Sequence, residues 1–309
     1  MCFFSSLHRV FVCFALLAFV FLLSNCGNQQ KRDRITTEAA TSSQPAHMQD
    51  AVPNTLLIVF EEPDPPPHSE SETAPVTVTA TESKQAVPKQ KRPQVAIIID
   101  DMGHHQKLGE RLLALDLNLT YSFLPLAPFT ATHAQIAHEK GSDILVHVPM
   151  EPKDSQWDPG KGALYLKDDK DLLRTKTEQL IDVVPHAIGA NNHMGSQFSE
   201  NREAMQTVLL TLQKNGFFYI DSFTTAQSTG LDEAKRLNIP TNRRHIFLDN
   251  DHDPKKICKQ IKKLIQLAQK NGSAIGIGHP NKATLTALSQ CDRELLATVD
   301  IVGAHNLVQ

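Results

Sequence analysis

The sequence predicts an α/β fold, a distorted (β/α) barrel of seven to eight parallel strands that occupies residues 93–309. From Gln94 onward, short apolar runs rich in β-branched residues alternate with longer amphipathic runs, which is typical of successive βα units. The spacing gives eight strands and seven helices in about 215 residues, which favours a barrel over a doubly wound open sheet.

Each element has a recognisable signal. Strands are predicted at residues 95–99, 120–124, 144–148, 187–190, 217–220, 245–248, 274–277 and 300–302. Helices are predicted between them, among others at residues 107–115, 169–184, 202–215 and 254–271. Asn215-Gly216 and Asn271-Gly272 are predicted helix ends, because such residues adopt the left-handed conformation that terminates helices.

The first 26 residues predict an export signal. Residues 10–23 form an apolar run of 14 residues after His8 and Arg9, shorter than the ~20 residues that span a bilayer but typical of a secretory signal peptide. Leu23-Ser24-Asn25-Cys26 resembles a bacterial lipobox, in which Cys26 would carry the lipid; an uncleaved signal anchor is the alternative. Either way, we expect the domain on the periplasmic face of a bacterial membrane, tethered through its N-terminus.

A spacer separates this signal from the barrel. Residues 27–92 are rich in Gln, Ser, Thr, Glu and Pro, a composition that predicts a disordered linker. Within it, residues 56–60 are either a strand added to the edge of the domain or an apolar patch of the linker.

Composition excludes two classes of protein. With 31 Lys and Arg against 34 Asp and Glu, the net charge of -3 excludes a strongly basic nucleic-acid binder. Five cysteines are too few for a disulfide scaffold. Cys258 and Cys291 are the two in the exported domain, and their spacing leaves open whether they pair.

Polar residues follow seven of the predicted strands. In chain order they are Asp100 and Asp101, His147 and Glu151, Asn191 to His193, Asp221 and Ser222, Asp249 and Asn250, His279, and His305 and Asn306. The carboxyl ends of parallel barrel strands meet at one rim, where the active sites of such folds lie. A single polar residue there can be a helix cap or a turn residue, but histidine is a poor cap. The whole set therefore indicates an active site.

Two imidazoles and one carboxylate are a common catalytic zinc arrangement that leaves a position for water. His147 and His193 can supply the imidazoles. The adjacent Asp100 and Asp101 can supply one ligand and one general base, because successive residues leaving a strand diverge in direction. His279 can supply the acid that protonates a leaving group. The sequence therefore predicts a divalent metal site, with Zn²⁺ as the expected cofactor, in a hydrolase of amides or esters.

Five segments in this order resemble the divergent polysaccharide deacetylase family. They are IIIDDMG at 97–103, HVPMEP at 147–152, NNHMGS at 191–196, DSFTT at 221–225 and GHP at 278–280. The resemblance covers roughly residues 94–309 and implies a distorted barrel, usually of seven strands. It also implies that Asp100 is the base, Asp101 a metal ligand and His279 the general acid.

The resemblance and the export signal together imply a hydrolase of C–N bonds that deacetylates an amino-sugar polymer of the cell envelope. The expected partner is therefore an envelope or cell-wall glycan, with no nucleic acid. The residues expected to contact the substrate are Asn191, Asn192, Ser196, Asp221 and Ser222, although the two asparagines and Ser196 could instead tie their loop together.

The sequence departs from the wider superfamily at two motifs. No second histidine lies one helical turn after His147, so that His193 is the nearest candidate for the second imidazole. An Arg-x-Pro-Tyr motif is also absent. These departures support an alternative function, a catalytically inactive barrel that binds glycan or peptidoglycan or regulates a partner.

Overall fold

A computed structural model describes residues 91–309. The predicted signal peptide, residues 27–90 of the predicted linker and the apolar run at 56–60 lie outside the described residues. Among the helices from residue 91 onward, none combines the length and the apolar character that crossing a bilayer requires.

The described chain alternates strands and helices as predicted. The strands are β1 (Gln94–Met102), β2 (Thr120–Phe123), β3 (Ile144–Met150), β4 (Gly189–Met194), β5 (Phe218–Asp221), β6 (Thr241–Arg243), β7 (Ile246–Phe247), β8 (Ser273–Gly278) and β9 (Asp300–Ile301). The helices are α1 (Gln106–Leu113), α2 (Thr130–Glu139), α3 (Lys170–Asp182), α4 (Arg202–Lys214), α5 (Gly230–Arg236), α6 (Pro254–Asn271), α7 (Lys282–Gln290) and α8 (Arg293–Leu296).

The strands form one parallel sheet that curls into an incompletely closed barrel, which confirms the predicted fold class. The strand order is β6-β5-β4-β3-β2-β1-β8-β7, which is the consecutive order of a barrel opened between β6 and β7. All eight predicted strands form. The structure has one additional strand, β6, which the sequence pattern does not predict because its three residues, Thr-Asn-Arg, contain no apolar run.

Several helices begin at side chains that cap them. Asp169, Asn201, Asp253 and Asn281 each accept a backbone N–H of the first turn of α3, α4, α6 and α7. The ends of α4 and α6 are those predicted, since the chain turns there through Gly216 and Gly272, with φ of 73° and 88°.

The sheet separates two apolar layers because alternate residues of each strand point to opposite faces. The larger layer lies between the sheet and the helices and includes Ile97, Val148 and Tyr219. The smaller layer fills the barrel interior, where Phe218 packs across the space that a side chain at Gly189 would occupy. The interior is therefore a packed core below the C-terminal rim.

The C-terminal segment closes the opposite end of the barrel. Strand β9 pairs only with Gln94 and Val95 at the start of β1, and the chain then turns beneath the strands. His305 binds Asp143, the residue before β3, through its backbone N–H and through Nδ1, at 2.9 and 2.8 Å. The expectation that His305 and Asn306 lie on the catalytic rim is therefore wrong. Because β9 is so short, the residues after it do not reach the rim.

Cys258 of α6 and Cys291 at the end of α7 form a disulfide with Cα atoms 5.6 Å apart. This answers the question that their spacing left open. The bond joins the neighbouring helices α6 and α7 and closes a loop with a sequence separation of 33 residues.

Replacing both cysteines (Cys258→Ser with Cys291→Ser) should lower the free energy of unfolding by about 3–4 kcal/mol, because the unfolded chain regains the entropy of the closed loop. Urea titration followed by circular dichroism measures the change. Dithiothreitol should destabilise the wild type to a similar extent and leave the double variant unaffected. Equal stability of oxidised wild type and double variant would contradict the assignment.

Candidate active site and metal centre

The inward-facing positions of the barrel change from apolar to polar as the strands approach the rim. On β1, Ile98 is followed two residues later by Asp100, and on β3, Leu145 is followed by His147. The same step occurs from Ile220 to Ser222, from Phe247 to Asp249 and from Ile277 to His279, while β4 contributes Asn191 and His193. A cluster of carboxylates and imidazoles therefore lies directly above a dry apolar core.

The structure brings the three predicted metal ligands together. Oδ1 of Asp101 lies 3.1 Å from Nε2 of His147 and 2.9 Å from Nδ1 of His193. The three ligand atoms all lie within 4.8 Å of one another. His193 thus supplies the second imidazole from the strand next to β3, since His147 and His193 belong to paired strands.

The environment of Asp101 fits a cation. Its Oδ1 is buried and has no hydrogen-bond partner among residues 91–309, because neither imidazole contact has hydrogen-bond geometry. Tetrahedral zinc with ligand distances of ~2.0–2.2 Å holds its ligand atoms about 3.3 Å apart, close to the separations from this oxygen. Two nitrogens and one carboxylate oxygen also form a donor set that zinc prefers. These three residues can therefore hold a divalent cation.

A β-bulge places both adjacent aspartates at the site. Two residues, Asp100 and Asp101, lie between Ile99 and Met102 on β1, whereas only Ser122 lies between their partners Tyr121 and Phe123 on β2. Asp101 has a φ of +53°, a left-handed conformation that is unfavourable for a residue with a side chain. Strict alternation would turn Asp101 towards the helices, so the extra residue and the strained backbone redirect it to the cluster.

The two carboxylates lie in different electrostatic environments. Burial raises the pKa of Asp100 above its ordinary value, although the charges of His147 and His279 and a bond from Asn191 oppose the shift. Burial has the same sign at Asp101, but the neighbouring His193 and His147 outweigh it and hold the pKa of Asp101 well below its usual range. Two carboxylates whose pKa values diverge in this way are suited to different roles, Asp100 as a general base and Asp101 as a metal ligand.

His279 is held on the other side of the cluster by Asp249. Nδ1 of His279 lies 2.9 Å from Oδ1 of Asp249, whose Oδ2 accepts from the backbone N–H of His279 at 2.6 Å. Thr284 and Asn281 also donate to Oδ2, which fixes the carboxylate. Burial opposes protonation of His279, but Asp249, and then Asp101 and Asp100, outweigh it and raise its pKa to about 9. The ring is therefore a proton donor at neutral pH.

Two of the predicted substrate-binding residues face inward but lie behind the cluster. Asn191 is completely buried, and its side-chain amide is hydrogen-bonded to Asp100 and His147. Ser222 is also buried, and its Oγ accepts from Nδ2 of Asn191 at 3.1 Å. Both side chains support the cluster from within the protein, which is the kind of structural role left open for Asn191 and corrects the expectation of substrate contact for Ser222.

The remaining three predicted contacts belong to loops and to the outer face of the sheet. Asn192 and Asp221 alternate with inward residues and point towards the helices. Asn192 accepts from Tyr219 Oη at 2.9 Å, and Asp221 accepts from Ser228 Oγ at 2.7 Å. Ser196 is buried and accepts from the backbone N–H of Lys153 at 3.0 Å. These bonds hold strands and loops together, which is the alternative that the sequence left open for Asn192 and Ser196 and which corrects the expectation for Asp221.

The sequence pattern alone assigns no role to Asp249. A polar residue after a strand was equally compatible with a cap. The signal that could have identified it is alternation, because Asp249 lies two residues after the inward Phe247 and therefore shares its face.

Comparison with known proteins agrees with this architecture. Residues 97–308 match the sequence model of a family described as divergent polysaccharide deacetylase. An uncharacterized protein of Haemophilus influenzae is 34% identical over 214 residues, which are 69% of this chain and 76% of that protein. The uncharacterized protein YibQ of Escherichia coli is 32% identical over 215 residues, which are 70% of this chain and 67% of that protein.

A crystal structure of an uncharacterized protein from Agrobacterium tumefaciens has the same fold. It superimposes with a TM-score of 0.68 at 24% sequence identity and covers 72% of this chain and 92% of that protein. At this identity the likeness shows the fold alone.

Protein purified without chelators should contain about one zinc-class metal ion per chain, since one set of three ligands converges. Asp101→Ala, His147→Ala and His193→Ala should each reduce the metal content to background in elemental mass spectrometry. His305→Ala is the matched control, because it removes an Asp-paired histidine at the opposite end of the barrel and should retain the metal. Wild-type protein that stays metal-free after incubation with zinc would refute the ligand set.

Proposed function

This chain belongs to the divergent polysaccharide deacetylase family, and from that premise we propose that it is a metal-dependent hydrolase that removes acetyl groups from an amino-sugar polymer of the cell envelope. The observation that carries the proposal is the pair of adjacent carboxylates. Asp101 lies between the imidazoles of two histidines, and Asp100 is hydrogen-bonded by the amide of Asn191. Metal-assisted amide hydrolysis uses one group that helps to hold the metal and another that takes a proton from water.

Asp101, His147 and His193 would hold the cation, with Zn²⁺ favoured by the two imidazoles and one carboxylate. When bound, such an ion lowers the pKa of a coordinated water and polarises a carbonyl oxygen. Asp100 would act as general base and accept the proton of the attacking water. Its raised pKa increases its strength as a base compared with an ordinary aspartate.

His279 would donate a proton to the amine nitrogen as the C–N bond of the acetamide breaks. Asp249 binds Nδ1, so the proton for the leaving group would come from Nε2 on the other side of the ring. The charge of Asp249 keeps the imidazole protonated at neutral pH. The base and the acid are thus two separate groups, each held by its own polar partner.

The alternative, a binding or regulatory module without catalysis, was suggested by the missing histidine one turn after His147. The proximity of His193 to Asp101, 2.9 Å, favours the hydrolase, because the second imidazole can come from the adjacent strand. An acetate-release assay distinguishes the two functions directly.

We place this activity outside the cytoplasm, on the periplasmic face of the membrane to which the N-terminus would anchor the chain. The Cys258–Cys291 bond supports this location, since structural disulfides persist in oxidising compartments such as the periplasm. The substrate would accordingly be an envelope glycan such as peptidoglycan.

Asp100→Asn should lower the rate of acetate release by about 10²–10⁴-fold, because an amide cannot accept the proton from water. The assay would use N-acetylglucosamine oligomers and peptidoglycan fragments with zinc-loaded protein, and metal content should remain at the wild-type level. Asp251→Asn, an exposed aspartate near the rim, is the matched control with unchanged turnover. Wild-type activity in Asp100→Asn would exclude Asp100 as the base.

Turnover should decline as the pH rises through about 9, because His279 must be protonated to act as the acid and its raised pKa places its titration there. Asp249→Asn removes the neighbouring negative charge and should move this alkaline limb down by about one to two pH units. The pH dependence of kcat/KM between pH 6 and 10 at saturating zinc measures the shift. An unmoved limb in a folded Asp249→Asn variant would rule out His279 as the acid.

A further inference from the structure

Asn191 joins the two functional halves of the cluster through a single side chain. Its Nδ2 lies 2.8 and 3.0 Å from the two carboxylate oxygens of Asp100. Its Oδ1 lies 2.9 Å from Nδ1 of His147 and 2.5 Å from Oγ of Ser122. The residue is completely buried and sits opposite His147 in the pairing of β3 with β4.

The chemistry of the partners determines the orientation of this amide. The ionised Asp100 carboxylate only accepts hydrogen bonds, so the amide group that faces it must be the NH₂. The amide oxygen therefore faces His147, and Nδ1 of His147 must carry the proton that it accepts. This tautomer leaves the lone pair of His147 on Nε2, the nitrogen that lies 3.1 Å from Oδ1 of Asp101.

The hydrogen bonds from Asn191 also restrain Asp100, which lies close enough to the candidate metal site to become a ligand. Oδ2 of Asp100 lies 3.6 Å from Nε2 of His147, only 0.5 Å farther than the corresponding oxygen of Asp101 at 3.1 Å. A carboxylate in this position is itself a competent zinc ligand. If Asp100 coordinated the ion, it would add a ligand to the three protein ligands and the water, and it would lose its capacity to act as a base.

We infer that Asn191 is a positioning residue that keeps Asp100 out of the coordination sphere and sets the metal-binding nitrogen of His147. The inference rests on the proposed function for its catalytic consequence, but its structural content concerns only which groups bind the ion. A hydrophobic residue at position 191 could form neither the hydrogen bond to Asp100 nor the one to His147. An aspartate at this position would have no donor for Asp100. The amide is suited to the position because it has a donor and an acceptor on one planar group.

The test uses full-length protein from which metal has been removed and replaced by Co²⁺, whose visible absorption weakens as its coordination number rises. Asn191→Leu should retain one Co²⁺ per chain but absorb less intensely than wild type, because Asp100 becomes an additional ligand. Zinc-loaded Asn191→Leu should release acetate about 10- to 100-fold more slowly than wild type. Asn192→Ala is the matched control: it removes a neighbouring buried amide on the outer face, and its spectrum should equal that of wild type.

The decisive variant combines Asn191→Leu with Asp100→Asn. Removing the competing carboxylate should restore the intense wild-type spectrum, although not activity. An Asn191→Leu spectrum identical to wild type, or one that Asp100→Asn does not restore, would overturn the inference and leave only a structural role. If Asn191→Leu does not fold, Asn191→Asp keeps the shape, removes the donor and should give the same spectral change.

The two proposals fail separately. Protein that shows these spectral changes but releases no acetate from any glycan supports the role of Asn191 in positioning and refutes the hydrolase. Protein that releases acetate while Asn191→Leu keeps the wild-type spectrum supports the hydrolase and refutes the positioning role. Wild-type protein that binds no Co²⁺ refutes both.

Discussion

The candidate site depends on one extra residue in β1. A regular strand presents alternate residues to a face, so it could offer Asp100 or Asp101 to the barrel interior, but not both. The bulge between Ile99 and Met102 removes that restriction and places the two carboxylates side by side. The left-handed backbone at Asp101 has an energetic cost of about 1–3 kcal/mol, which the surrounding pairing of β1 with β2 and β8 must offset. β1 is buried and flanked by β2 and β8, so it is suited to hold such a conformation.

The rest of the site follows from strand alternation above an apolar core. Interior residues such as Ile98 and Ile277 exclude water from beneath the cluster, so that the charges above them interact strongly. Side-chain bonds then give each carboxylate a separate function. Asn191 holds Asp100, whereas Asp249 holds His279, and Asp101 keeps an unsatisfied oxygen between two imidazoles. No described helix supplies any of these groups, so their geometry is set by the register of the strands.

The sequence allowed prediction of the fold class, all eight apolar strands and the five residues of the central cluster, because hydrophobic period and residue chemistry are local signals. The β6 strand could not be predicted, since Thr-Asn-Arg has no apolar period and pairs only because β5 is beside it. His305 was misplaced because the length of β9 depends on tertiary pairing. The substrate-binding assignment of Asp221 was wrong for a simpler reason. Polarity after a strand was considered without the alternation that turns every second residue towards the helices.

The buried carboxylates Asp100 and Asp101 need positive charge close to them, and a metal cation at the site can supply it more completely than protons on the histidines. Burial disfavours a charged His147, but Asp100 and Asp101 outweigh burial and raise the pKa of the ring. Among the described residues, Oδ1 of Asp101 has no hydrogen-bond partner, because neither imidazole approaches it with hydrogen-bond geometry. A divalent ion at the same place requires neutral imidazoles and so displaces protons as it binds. It would supply the positive charge that the buried carboxylates need and also a partner for the orphaned oxygen. The strained conformation of Asp101 is therefore consistent with a site whose stable occupant is a metal ion.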